Sequence, residues 1–180
     1  MEKFLRWIIT TWEGYYANDT DDYGGETVWG ISRKFNPTWE GWKIVDANRK
    51  QLFSQQIKDL LLDLALKYYK QKYMSVWEWL YKTHPRTACF MLDFYINAGY
   101  WSIYCLQDVI KAKRDGIIGE ETKTKTRSFQ DNDLLIRMYK RREEFYHDIA
   151  VGSQKKFLAG WLNRNRSVFN QIVNSHKLTS

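Results

Sequence analysis

The chain has 180 residues, with 28 Lys and Arg against 21 Asp and Glu, for a formal net charge of +7. An aromatic content of 17% excludes a disordered chain. A mean hydropathy of −0.60, with no apolar run near the roughly 18 residues of a membrane span, excludes a membrane-spanning protein. Two Cys and three scattered His argue against a disulfide scaffold and a zinc hydrolase. Cys89 and Cys105 read as two buried reduced thiols, and no metal or cofactor is implied. The basic balance fits an anionic partner: nucleic acid, anionic lipid or bacterial cell-wall polymer.

Residues 1–12 place Phe4, Leu5, Ile8, Ile9 and Trp12 on one helical face, so the stretch reads as the first helix of the domain, and no export signal is expected in it. Five of the ten glycines fall within residues 14–41, a Gly/Asn/Asp-rich stretch that reads as a shaped loop or small hairpin. From Asp46 to Lys82 the apolar positions follow a 3.6-residue period with no Gly or Pro to interrupt them. Pro85 opens a helix that is apolar almost all round, the expected central helix, and Gly99 stops it. Trp101–Lys113, Gly119–Arg127, Leu134–Ile149 and Lys155–Val173 complete a mainly α chain. A small irregular or β element is expected near residues 15–32.

The segment Glu13–Ile31 is the most informative. Glu13 stands at a helix end beside Trp12, Tyr15 and Tyr16, and a carboxyl withdrawn from water has its charged form disfavoured. Asp19, Asp21 and Asp22 follow in a hydrated, glycine-bearing loop. Glycosidic cleavage needs such an unequal pair, an acid to protonate the leaving oxygen and a carboxylate to activate water or attack carbon. The loop lacks the alternate oxygens and closing Glu of an EF-hand. A solvated helix-end Glu followed by an ordinary turn is the competing reading, and spacing alone does not separate them.

Glu13, Gly14, Tyr16, Asn18, Asp19, Asp22, Gly24, Gly25, Thr27, Gly30 and Ile31 resemble the signature of the lysozyme-like glycoside hydrolase family 108. These are peptidoglycan muramidases that include phage endolysin-like proteins and so-called secretion activators. The chain departs from it at Tyr15, where Gly is usual, and at Thr20 and Tyr23, where Pro is common. Residues 90–99 resemble the family's buried helix ending in Asn-x-Gly. Leu106–Gln107, Asp115–Thr122 and the Gly-Trp-x-x-Arg run at 160–164 resemble a peptidoglycan-binding C-terminal half. The resemblance implies a lysozyme-like catalytic lobe over 1–99 and a helical lobe over 100–180, packed as one compact unit, and a monomer is expected.

It further implies Glu13 as general acid, Asp22 as base or electrostatic partner with Asp19 as competitor, and Thr27 as the residue that positions water. Inversion is the outcome the resemblance favours. Tyr16, Trp29 and Tyr95 are candidates to stack on sugars, although core packing competes for each. Asn97 either meets an N-acetyl group or caps its helix. Gln107, Asp115 and Thr122 read as turn and capping residues. Arg137, Arg141, Arg142 and Arg164 either face the anionic wall or are merely solvated. The expected function is cleavage between N-acetylmuramic acid and N-acetylglucosamine, and the alternative is a non-catalytic wall-binding or secretion-assisting protein on the same fold. The expected partner is bacterial peptidoglycan. Nucleic acid is disfavoured, because the basic residues are dispersed without a reader motif. The protein is expected to reach the periplasm or exterior by a route other than a signal peptide.

Overall fold

A computed structural model describes residues 1–18 and 24–175. They divide into two compact units, Glu2–Ser75 and the chain from Val76 onward. The fold is mainly α with one small antiparallel sheet, as the sequence implies. Among the described residues, no helix is long and apolar enough to cross a membrane.

In the first unit, α1 (Glu2–Ile8) runs directly into a single π-helical turn, Ile9–Glu13. Such turns are rare and concentrate at functional positions. Phe4, Leu5, Ile8 and Ile9 are buried, the apolar face expected from their spacing. They pack on α3 (Gln55–Lys72), which buries Ile57, Leu61, Leu62, Ala65 and Tyr69. Three two-residue strands follow α1: β1 (Tyr16–Ala17), β2 (Thr27–Val28) and β3 (Ile31–Ser32), in sheet order β1-β2-β3. The small element near residues 15–32 is therefore a sheet, with Tyr16 opposite Val28 and Val28 opposite Ile31.

Residues 46–82 are not one helix. Helix α2 spans Gly41–Ala47, a 3-10 turn spans Arg49–Gln51, and after α3 a second 3-10 turn, Met74–Trp77, leads into α4 (Glu78–Tyr81). No Gly or Pro marks these breaks; Asn48 ends α2 by turning its side-chain amide back onto the Ile44 carbonyl at 2.8 Å, the local competition that Asn offers a helix. Leu52, 3% exposed, then anchors the connection in the core.

The second unit is built around α5 (Pro85–Ala98), which packs against α4, α6 (Tyr100–Ile110), α8 (Asp131–Ile149) and α9 (Leu158–Asn174); α7 (Glu120–Arg127) packs on α6. The helix expected at the end of the N-terminal lobe thus folds with the C-terminal helices. Its first-turn N–H groups, which have no partner within a helix, donate to the Asp131 carboxylate at the start of α8: Arg86 N at 3.0 Å and Thr87 N at 2.9 Å.

One further tie is electrostatic. Asp93, the only charge in the apolar stretch of α5, is fully buried. Its carboxylate meets Arg142 Nη2 of α8 and Arg164 Nη2 of α9, each at 2.7 Å, with Arg164 Nε at 3.0 Å. Burial alone would raise its pKa, but the two guanidiniums reverse the direction and hold it ionised. The Arg142 guanidinium, also fully buried, lies over Phe94 at 4.8 Å and over Phe90 and Tyr146 at 5.3 Å, so its remaining surface faces aromatic rings. Cys89 and Cys105 are buried free thiols, pushed by burial to about 12 and about 11.

Removing one partner of a buried ion pair leaves an uncompensated charge, a loss of about 3–5 kcal/mol. Asp93→Asn is therefore expected to lower unfolding free energy by about that amount in urea titration. A change under about 1 kcal/mol would show that the cluster does not hold α5, α8 and α9 together.

Candidate functional site

Glu13 is the last residue of the π-helical turn, and Gly14 leaves it at φ +68°. Opposite it stands the turn joining β2 to β3. Trp29 at φ +47° and Gly30 at φ +76° form a two-residue loop with both φ values positive, as a type I′ hairpin turn requires. Asn-Gly is the usual choice; a tryptophan at positive φ is a strained conformation, of a kind that gathers at functional positions. It is held from two sides, with Trp29 N donating to the Tyr15 carbonyl at 2.8 Å and the Tyr69 hydroxyl donating to the Trp29 carbonyl at 3.1 Å.

The hairpin brings the Gly30 backbone directly against Glu13. A Cβ on Gly30 would lie 2.7 Å from Glu13 Oε2, 3.0 Å from Glu13 Cβ and 2.5 Å from the Tyr69 hydroxyl. Gly30 and Tyr69 thus form a floor for the Glu13 side chain, and only glycine fits. Tyr15, at the position where the family pattern has Gly, donates its hydroxyl to the Leu52 carbonyl. Its ring lies 5.1 Å from Trp29 and 5.8 Å from Phe53, with Lys58 Nζ 5.3 Å above. It buttresses the strained tryptophan.

A charge network fixes the other side of the hairpin. Glu26, just before β2, accepts from the Tyr16 hydroxyl at 2.9 Å and pairs with Arg33 at 2.7 Å and Arg49 at 2.5 Å. Both arginines also pair with Asp46 of α2, at 2.8 and 2.6 Å. Burial would raise the Glu26 pKa, but hydrogen bonds from Arg49 and Tyr16 and the charges of both arginines lower it. Held ionised, Glu26 is unsuited to donating a proton. Asp46 is lowered to about 2, chiefly by hydrogen bonds from Arg33 and Arg49.

The structure therefore brings Glu13, Tyr16, Thr27 and Trp29 onto the helix end and hairpin of the first unit. Thr27 sits on β2 opposite Ala17, its Oγ1 donating to the Gly25 carbonyl at 3.1 Å. Asp19 and Asp22 lie outside the described residues. Tyr95 and Asn97 are on α5 in the second unit, Tyr95 edge-on to Trp77 and Tyr100, and Asn97 exposed with Nδ2 donating to the Asp93 carbonyl at 2.8 Å. Sequence reasoning missed Tyr69, whose place in a regular apolar helix gave no signal, and Glu26, the variable position of the Gly-Gly-x-Thr stretch.

Other motif residues are structural. Gln107 is fully buried and gathers the following loop, its Nε2 donating to Asp115 Oδ1 at 2.9 Å and Ile117 O at 3.1 Å, its Oε1 accepting from Gly116 N at 2.9 Å. The four arginines offered as wall contacts are engaged within the protein: Arg137 with Asp133, Arg141 with Asp108, and Arg142 and Arg164 with Asp93.

Two outcomes follow. Gly14→Ala meets no atom within 4 Å and should cost only the backbone strain of its positive-φ, extended-ψ conformation, about 1–3 kcal/mol. Gly30→Ala adds the collisions and should cost more than Gly14→Ala in denaturant unfolding while displacing Glu13; equal costs would contradict the close approach. Because Asp46 is lowered from 3.8 to about 2, its pairing is fully present above pH 3.8 and lost as pH falls through about 2. Acid titration of thermal stability should fall across that window, and Arg49→Ala should flatten the fall.

Comparison with known families matches residues 6–99 to Glycosyl hydrolase 108. Residues 102–166 match the Predicted Peptidoglycan domain. Among solved structures, Brucella abortus SagA is similar in fold, with a TM-score of 0.69 and 23% identity over 97% of this chain and 94% of that one. A comparison with curated proteins finds no match. With its first model covering more than half of the sequence and carrying the Glu13–Ile31 segment, the chain belongs to the glycosyl hydrolase 108 family.

Proposed function

We propose that the protein is a muramidase that hydrolyses the β-1,4 bond between N-acetylmuramic acid and N-acetylglucosamine in bacterial peptidoglycan, in the periplasm or outside the cell. The observation that carries this reading is the seating of Glu13 against Gly30 and Tyr69 at the end of a π-helical turn, in a chain of a glycosidase family. A general acid must keep a fixed position beside the bond it breaks, and the hairpin gives Glu13 that fixity.

In the proposed reaction Glu13 transfers its proton to the glycosidic oxygen as the bond from C1 breaks. Water adds to C1 from the opposite face and loses its proton to Asp22, with Asp19 the competing base and Thr27 orienting the water. That is the inverting course; it requires room for water between the carboxyls, about 6.5–9.5 Å. Tyr16 and Trp29 supply ring surface beside Glu13; Tyr95 and Asn97, on the second unit, are proposed as further contacts to the glycan. The match of residues 102–166 supports peptidoglycan as the partner.

Glu13→Gln preserves size and removes the proton. It should fold normally, still co-sediment with purified peptidoglycan, and release reducing ends at least about a hundredfold more slowly than wild type. Full activity in Glu13→Gln would overturn the assignment of the acid. Wild type that co-sediments yet releases no reducing ends would instead establish the wall-binding alternative.

A further inference from the structure

The second unit carries a groove of its own, and the proposed glycan contact Asn97 is one of its lining residues. Its volume is about 320 Å³, and its walls are aromatic and neutral: Trp101, Phe145, Tyr146 and Trp161, with Ile149 behind and Asn97 at the rim. Phe145, Tyr146 and Trp161 fall within the segment matching a peptidoglycan domain.

We propose that this groove is a glycan subsite for an uncharged N-acetylhexosamine unit, with Trp101 and Trp161 as its ring platforms. The proposal rests on the peptidoglycan reading above and names the part of the polymer the second unit would hold. Trp101 is 52% exposed although its ring lies 6.0 Å from Phe145, 5.6 Å from Tyr104 and 5.8 Å from the Arg114 guanidinium, so about half of it stays open to solvent. Trp161 is stacked on Tyr146 at 5.6 Å with an interplanar angle of 25°. Tyr146 turns its hydroxyl inward to accept from Arg142 Nε at 2.9 Å, so its share of the wall is ring carbon. Flat apolar surfaces of this kind suit the C–H face of a pyranose, and a few polar groups at the margin then fix its orientation.

Those groups are present. Asn97 commits Nδ2 to the Asp93 carbonyl, which leaves Oδ1 at the rim to accept from an acetamido N–H or a hydroxyl. Among the described residues the indole N–H groups of Trp101 and Trp161 have no hydrogen-bond partner, and each can donate to an acetyl or hydroxyl oxygen. The charge pattern selects the sugar. No charged side chain lines the groove; Arg114, 5.8 Å above Trp101, is paired with Asp108 at 3.1 Å. A lactyl or peptide carboxylate would find no counter-ion there, whereas N-acetylglucosamine needs none.

The test uses the full-length Glu13→Gln protein, so that nothing is cleaved, with tri-N-acetylchitotriose as the probe in isothermal titration. Saturable binding is expected, essentially equal at about 50 mM and about 500 mM NaCl because no ion pair is involved. Trp101→Ala, at an exposed position, should weaken it about tenfold or more. Asn97→Ala, also exposed, should weaken it less while leaving the helical circular dichroism unchanged. Absence of saturable binding, binding that survives Trp101→Ala, or binding that vanishes at high salt would each overturn the groove assignment. Because the titration is done without turnover, an inactive wild type would remove the muramidase reading and leave this result standing.

Discussion

The constraint on which the site depends is the contact between a carboxylate and a backbone with no side chain. Glu13 lies against Gly30, and the Tyr69 hydroxyl closes the same space. Everything around that contact works to maintain it. The π-helical turn carries Glu13 off the end of α1, the positive-φ pair Trp29–Gly30 reverses the chain beneath it, and Tyr15 and Tyr69 hold the strained Trp29 from two directions. Strain in such a turn persists only where the surroundings determine it more than once, and here backbone, hydroxyl and ring contacts all do.

Charge is organised in two separate ways. On the hairpin, Glu26, Arg33, Asp46 and Arg49 form a partly exposed network whose individual pairs contribute little and whose effect is to fix register between the sheet and α2. In the second unit Asp93 is buried between Arg142 of α8 and Arg164 of α9, and the cluster ties both helices to α5. The +7 excess, which ion pairing cannot cancel, therefore resides on other basic side chains, since the arginines singled out as wall contacts are committed internally. What the second unit offers a partner instead is neutral aromatic surface around Trp101 and Trp161.

Much of this was legible in the sequence, and the limits have physical causes. The Glu13–Ile31 segment could be read as a loop or small hairpin because turn chemistry forces glycine and short polar residues there, whereas its site residues were legible only through the family resemblance. The helical class followed from apolar periodicity. The breaks within 46–82 did not, because Asn48 ends α2 by a side-chain bond that leaves the apolar pattern intact. Tyr69 was hidden for a related reason, as a tyrosine in phase with a buried face looks like core until a hairpin from elsewhere meets its hydroxyl. Asp93 was a visible anomaly in an apolar run, but its partners lie 49 and 71 positions along the chain, beyond the reach of local pattern.

The central claim concerns which bond is broken, and the reducing-end sugar answers it directly. Purified peptidoglycan digested by the wild-type protein in ¹⁸O-labelled water should release fragments ending in N-acetylmuramic acid, with one label at C1 by mass spectrometry. Fragments ending in N-acetylglucosamine, or peptide fragments with intact glycan strands, would contradict the account.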